Sequence, residues 1–361
     1  MKGKWLGFPL IFLLLSAAIF SFTNDSVIEE WLKSNSIVVQ EDEIETLPIQ
    51  NDEYWPVLIV DFNGKNTNPN TAISEAESML IPTANEYFSE LSRGSVTVNI
   101  EIHTVMTTAS GNLADYGSDY GVERDSSSDG THLPMQLAEE VVLANKESID
   151  WKKYDLNNDG IVDRLLILHT TIGQETGGNS NRIWSHFTTF EELIELDDDL
   201  SIGHYAMASL GSGMEGFGTA MHEMLHQMGA YDLYPSDGQQ TSVWKGVGDW
   251  DIMASGNWNG NGRTPALPTS GTLDLIGAVE PLDLTVGALV AENQSYTILP
   301  HVPNAGTVRF TIAPGEYIWM ESRIDSGFDR DLPAHGLLVT QEDRYHADFE
   351  HNEVNRDPEH A

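Results

Sequence analysis

Residues 218–232 read GTAMHEMLHQMGAYD. The apolar spacing predicts a helix, with Met221, Leu225 and Met228 on the face that packs inward. On the other face His222 and His226 stand one turn apart and project the same way. Two imidazoles so placed can both reach one zinc ion at about 2.0–2.1 Å. Glu223 sits beside the first of them, where it can approach a metal-bound water without ligating. Gly229 can adopt the left-handed conformation that stops a helix sharply. The chain then swings back, and Asp232 supplies a third ligand. Three protein ligands leave a fourth position for water, which a catalytic zinc site needs and a structural one lacks. The plainer alternative is an exposed amphipathic helix carrying two His and a Glu.

Two neutral imidazoles and one carboxylate leave such a site with about one net positive charge, less than three imidazoles would. Its water is then less acidic, and a neighbouring base gains value; Glu223 fits that role. The expected chemistry is peptide-bond hydrolysis. Zinc polarises the carbonyl and holds the water, while Glu223 takes the proton and passes it to the leaving amine. An extended substrate is expected to pair with the strand near Tyr205–Leu210. Tyr231 and Tyr234 are placed to assist, although packing beside the helix end is the simpler reading. The alternative function is a non-catalytic secreted metal-binding or adhesive protein on the same scaffold, which would have no need of Glu223.

Residues 250–260 read WDIMASGNWNG. An HExxHxxGxxD stretch followed by a methionine turn is the metzincin pattern. WDIMASGNWNG resembles the Met-turn of the immune inhibitor A family of secreted bacterial metallopeptidases. Other patches resemble that family too: WPVLIVDF (55–62), EYFSELSRGSVTV (86–98), DLNNDGIVD (155–163), IWSH (183–186), and the tail from EYIWMESR to NEVNRDP. The resemblance implies zinc on His222, His226 and Asp232, Glu223 as general base, Met253 beneath the site, and protein or peptide substrates. It implies an α/β (α+β) fold: a metzincin-like catalytic domain with a twisted sheet, an active-site helix and a Met-turn, followed by a smaller β-rich module. The family usually has Gly-Leu-Pro-Asp where this chain has Gly229-Ala230-Tyr231-Asp232.

Composition narrows the field. The chain has 361 residues, 56 Asp and Glu against 18 Lys and Arg, and a formal charge of −38. Such a chain repels nucleic acid and anionic membrane surfaces. Cysteine is absent, which excludes thiol catalysis, disulfides and thiolate metal sites. No Gly-x-Ser-x-Gly elbow and no phosphate-binding glycine loop is present.

Lys2 and Lys4 precede an apolar run from Trp5 to about Phe22, which has the order of a signal peptide over residues 1–22; an uncleaved anchor is the alternative. Export to the extracellular medium follows, with no stable membrane insertion after cleavage. Residues 23–52 are acidic and weakly patterned, a short prosegment or linker. The catalytic domain is expected over 53–280, opening with a buried strand at Trp55–Phe62. Expected next are one helix over 71–92, a strand at 96–102, a helix at 133–147, a strand at LLILHT, and loop-rich stretches at 107–131 and 171–200. A β-rich module is expected over 281–361, with strands at SYTIL, TVRFTI, EYIWMES and HGLLVTQE. In the family this module usually continues beyond the last residue here.

Asp155, Asn157, Asp159, the Ile161 carbonyl and Asp163 stand at loop positions 1, 3, 5, 7 and 9, with Gly160 at 6. That is three-quarters of an EF-hand calcium loop. Position 12 is Leu166 and a strand follows, so calcium would need ligands from elsewhere; an Asp/Asn-rich turn is the alternative. His169, His186 and Glu175 are lone polar residues near the expected cleft, for which a structural role is the simpler reading.

Overall fold

The computed structural model describes residues 46–177, 179–236, 245–285, 295–300, 306–344, 352 and 354–355. They belong to one compact unit, Thr46–Ala361. The expected signal peptide and residues 23–45 of the expected prosegment lie outside the described residues.

Strand β1 (Asp52–Asp61) organises the larger sheet. Its run of Val57, Leu58, Ile59 and Val60 is wholly buried, and each such side chain contributes about 1.5–3 kcal/mol. A run buried on both faces is what a central parallel strand needs. β2 (Thr97–Ile102) and the short β3 (Thr107–Thr108) pair with it in parallel. β5 (Leu166–His169) also pairs with it in parallel. β4 (Ile161–Val162) and β5 both pair with β7 (Leu200–Ser209): Ile161 faces Ser201 and Leu166 faces Ala206, the same offset, so β4 and β5 are one interrupted strand. β6 (His186–Asp197) runs antiparallel to β7 and has no other strand partner among the described residues.

Alternation along β1 splits the core in two. Trp55, Val57 and Ile59 face one cluster, which includes α1 (Pro69–Leu80), α2 (Thr83–Leu91) and α5 (Phe217–His226). Leu58, Val60 and Phe62 face the other, which includes α4 (Leu133–Asn145); the five-residue α3 (Leu113–Gly117) lies beside α4. α1 starts where the Asn68 side chain accepts from the Asn70 and Thr71 N–H groups at 3.0 and 3.2 Å. The last helix, α6 (Ser270–Leu275), leads towards the second sheet.

That sheet has the order β11-β10-β9-β8. β8 (Leu282–Thr285) is parallel to β9 (Thr307–Ala313), while β10 (Glu316–Arg323) is antiparallel to β9 and to β11 (Gly336–Asp343). Arg323 braces it against the loops around Trp250 and Leu267. Its guanidinium donates twice to Asp329 at 2.6 Å, to the Leu267 carbonyl at 3.0 Å and to the Trp250 carbonyl at 3.2 Å.

Four expectations are corrected. The helix over 71–92 is two helices, because Pro82 has no N–H to donate and disfavours helix in the residue before it. The second half of 171–200 is not loop, since β6 occupies residues 186–197. Tyr205–Leu210 is not an edge: most of it lies in β7, which is paired on both sides, so the free edge belongs to β6. SYTIL forms no strand, and β8 takes the place beside β9. Among the described residues no helix is long and apolar enough to cross a membrane.

Candidate metal centre

All ten residues of α5 are buried. Its start packs so closely on the segment after Met253 that a Cβ on Gly218 would stand 2.0 Å from the Asn257 carbonyl oxygen. Its end is a Schellman motif. Gly229 takes φ +94°, Gly229 N donates to the His226 carbonyl at 3.0 Å, and Ala230 N donates to the Leu225 carbonyl at 3.1 Å. This stop turns the chain back along the helix, and Asp232 returns to the two histidines.

The His222 and His226 Nε2 atoms lie 3.3 Å apart. Asp232 Oδ1 lies 3.0 Å from the first and 3.4 Å from the second. Each ring is aimed from behind. His222 Nδ1 is 2.8 Å from the Ile252 carbonyl oxygen, and His226 Nδ1 is 2.8 Å from the Ala230 carbonyl oxygen. A carbonyl can only accept, so Nδ1 carries the proton and the Nε2 lone pair points inward. Asp232 Oδ1 is buried and no hydrogen bond of normal geometry reaches it. Three potential ligand atoms thus converge on one point, and two nitrogens with one oxygen suit zinc. Among the described residues this is the one grouping of three such side chains with donor atoms within 4.8 Å.

The field at the site is strongly negative. Burial lowers the His222 pKa, but Glu223 and Asp232 outweigh it and raise it to about 9. Burial alone would raise the Asp232 pKa; the two imidazoles prevail and hold its carboxylate far below the usual range. Glu223 is pushed up to about 7 by burial, with His222 and His226 offsetting part of the rise.

The turn carrying Met253 closes the site from beneath. Asp251 builds it, accepting from Met253 N (2.8 Å), Thr269 N (2.7 Å), Thr269 Oγ1 (2.8 Å) and Thr272 Oγ1 (2.9 Å). The Met253 side chain is wholly buried, and its carbonyl accepts from Leu233 N at 2.7 Å. The turn therefore holds His222 through Ile252 and the Asp232 loop through Met253.

Beside His222 opens a cleft of about 480 Å³, lined by His222, Glu223, Glu175, Arg124, Trp184, Tyr234, Asn257 and Trp258 among others. The Phe187 ring, near the start of β6, stacks on His226 at 5.7 Å. Glu175 stands in the cleft wall and accepts from Ser185 Oγ at 2.8 Å. His186 is engaged at both nitrogens, by the Trp184 carbonyl at 2.8 Å and the Tyr205 hydroxyl at 3.0 Å. His169 is wholly buried and bonds to Thr171 Oγ1 at 3.0 Å; burial lowers its pKa to about 4. Tyr234 stacks near His222 at 6.4 Å, whereas Tyr231 is not part of the lining.

The Asp155–Asp163 loop turns its oxygens on its own backbone. Asp155 accepts from Asp159 N at 3.1 Å and Gly160 N at 3.0 Å, Asp159 from Ile161 N at 2.8 Å, and Asp163 from Leu156 N at 2.6 Å. Sequence reasoning missed three participants at the metal centre: Asp251, Phe187, and Asn352 described below. Asp251 stood two residues before the quoted methionine, and that was the available signal.

Metallopeptidases of the metzincin type build their sites in this way. Residues 67–272, more than half of the chain, match the catalytic domain of the immune inhibitor A peptidase M6 family, and the chain belongs to that family. Membership implies a metal cofactor. The chain is 30% identical over 212 residues to "Immune inhibitor A" of Bacillus thuringiensis subsp. alesti, covering 51% of this chain and 30% of that protein. It is 29% identical over 184 residues to "Pre-pro-metalloprotease PrtV" of Vibrio cholerae serotype O1 (strain M66-2), covering 42% of this chain and 19% of that protein. The match thus spans less than a third of either relative. The solved structure of wild-type OgpA from Akkermansia muciniphila matches with a TM-score of 0.34 and 13% identity, over 84% of this chain and 87% of that one.

Proposed function

We propose that the chain is a secreted zinc-dependent endopeptidase that hydrolyses peptide bonds in proteins. In this reading His222, His226 and Asp232 hold the zinc and Glu223 is the general base. The observation that carries it is the meeting of two Nε2 atoms and Asp232 Oδ1 at 3.0–3.4 Å beside an open cleft. Zinc, when bound, supplies Lewis acidity towards a substrate carbonyl and a water. Glu223 lies on the cleft side of the pair, where a carboxylate can take a proton from a water and return it to a leaving group. The free edge of β6 gives an extended peptide a line of backbone partners beside His226. Secretion is supported by the charged-then-apolar order of residues 1–22 and by the "pre-pro" in a relative's name.

The test is casein hydrolysis by the purified chain. A chelator should abolish it and zinc should restore it. Glu223→Gln should keep its zinc yet lose about 10²–10⁴-fold in rate. Near-normal hydrolysis by that variant would remove Glu223 from the mechanism, and no hydrolysis by zinc-loaded wild type would favour the non-catalytic alternative.

Calcium in the Asp155–Asp163 loop is a second part of the proposal, supported by the oxygen spacing and by the loop's closure on Asp155. Calcium added to zinc-loaded protein should raise the thermal midpoint. A midpoint that does not move with calcium would leave the loop as a plain turn.

A further inference from the structure

We infer that Asn352, far from α5 in sequence, is a positioning residue for the metal centre: it fixes which oxygen of Asp232 faces the two histidines. The inference rests on the reading of Asp232 as a metal ligand.

The geometry is a two-point grip by one side-chain amide. Asp232 N donates to Asn352 Oδ1 at 2.7 Å, and Asn352 Nδ2 donates to Asp232 Oδ2 at 2.7 Å. An amide N–H can only donate and a carboxylate can only accept, so the orientation of the Asn352 amide is determined. Oδ2 is thereby turned away, and Oδ1 is left facing His222 and His226 at 3.0 and 3.4 Å. Without the grip the carboxylate can rotate about its terminal bond, which is soft in aspartate. The other two ligand side chains are held from behind by the Ile252 and Ala230 carbonyls; Asn352 gives the third the same kind of support. Tyr234 also interacts with the Asp232 carboxylate, whereas Asn352 engages both the carboxylate and the backbone N–H.

Asn352 is itself anchored to the loop that it grips. Ser236 Oγ donates to the Asn352 carbonyl at 2.9 Å, and Asn355 Nδ2 donates to the Leu233 carbonyl at 3.0 Å. Its backbone takes φ +53°, a conformation that asparagine tolerates better than most residues. Outer partners of metal ligands typically contribute 10–100-fold in metal affinity.

The experiment is zinc competition against a chromophoric chelator, using the full chain. Asn352→Ala should bind zinc 10–100-fold more weakly, with the thermal midpoint of the metal-free protein unchanged. Asn352→Asp has nearly the same shape and keeps an acceptor for Asp232 N, but it sets an acceptor against Oδ2; it should lose at least as much affinity. If Asn352→Ala fails to fold, the Asp variant carries the test alone. Asp232→Ala is run beside them. Weaker zinc binding in Asp232→Ala with wild-type affinity in both Asn352 variants overturns this inference and leaves the ligand reading standing. Unchanged affinity in Asp232→Ala overturns the ligand reading itself. In the Asp232→Ala background, Asn352→Ala should bring no further loss.

Discussion

Asp125 is 2% exposed, at a left-handed φ of 48°. Its Oδ2 accepts from Trp184 N at 2.8 Å, while Oδ1 finds no partner in normal geometry. Burial raises its pKa to about 7; the nearby Asp119 and Glu175 carboxylates add to the rise, and the Trp184 bond offsets part of it. The unfolded chain would titrate near 3.8. A raised carboxyl favours the fold below the unfolded value, and that contribution is lost as pH rises through the folded one. Asp125→Asn, neutral at every pH, should therefore melt above wild type at pH 8, with the gap closing below pH 4. A gap of equal size at both pH values would contradict the assignment. Arg164 is the opposite case of a buried charge fully met. It donates to Glu53 at 2.8 and 3.0 Å and to the Gln227 carbonyl at 2.9 Å. Neither residue stood out in the sequence, because a buried charge reveals itself only through partners far along the chain.

At the scale of elements, what could be read was what repeats locally. α5 declared itself by period, and its end by Gly229, whose φ of +94° an L side chain rarely adopts. Gly229→Ala should cost about 1–2 kcal/mol for the left-handed conformation and, because the stop aims Asp232, should weaken zinc binding as well. Calorimetry with a zinc titration checks both; an unchanged zinc affinity would separate the turn from the metal centre. β1 and β5 declared themselves by unbroken apolar runs. β6 did not, since only Phe190 and Leu196 along it are buried and its outer side has no strand partner among the described residues. For the same reason the edge was assigned to Tyr205–Leu210: a buried strand is easier to see than an exposed one, but the exposed one is the edge.

Across the whole molecule, the ligands and base expected from one short stretch are brought together by that stretch. What holds them comes from elsewhere. Asp251 works through Thr269 and Thr272, Arg323 reaches from the second sheet to the Trp250 and Leu267 carbonyls, and Asn352 reaches Asp232. Pairings across such separations leave no local periodicity, so the residues that meet at the site were legible in the sequence and their framework was not. The second sheet is accordingly part of the support of the site rather than an appendage to it.

The Arg323 brace also bears on time. A ribosome makes the chain from its N-terminus, so the segment bearing both histidines exists about a hundred residues before Arg323 and longer still before Asn352. Throughout that interval the nascent chain carries its reactive residues without the brace that steadies the turn beneath them. The order of synthesis therefore places the support of the turn after the residues that it steadies.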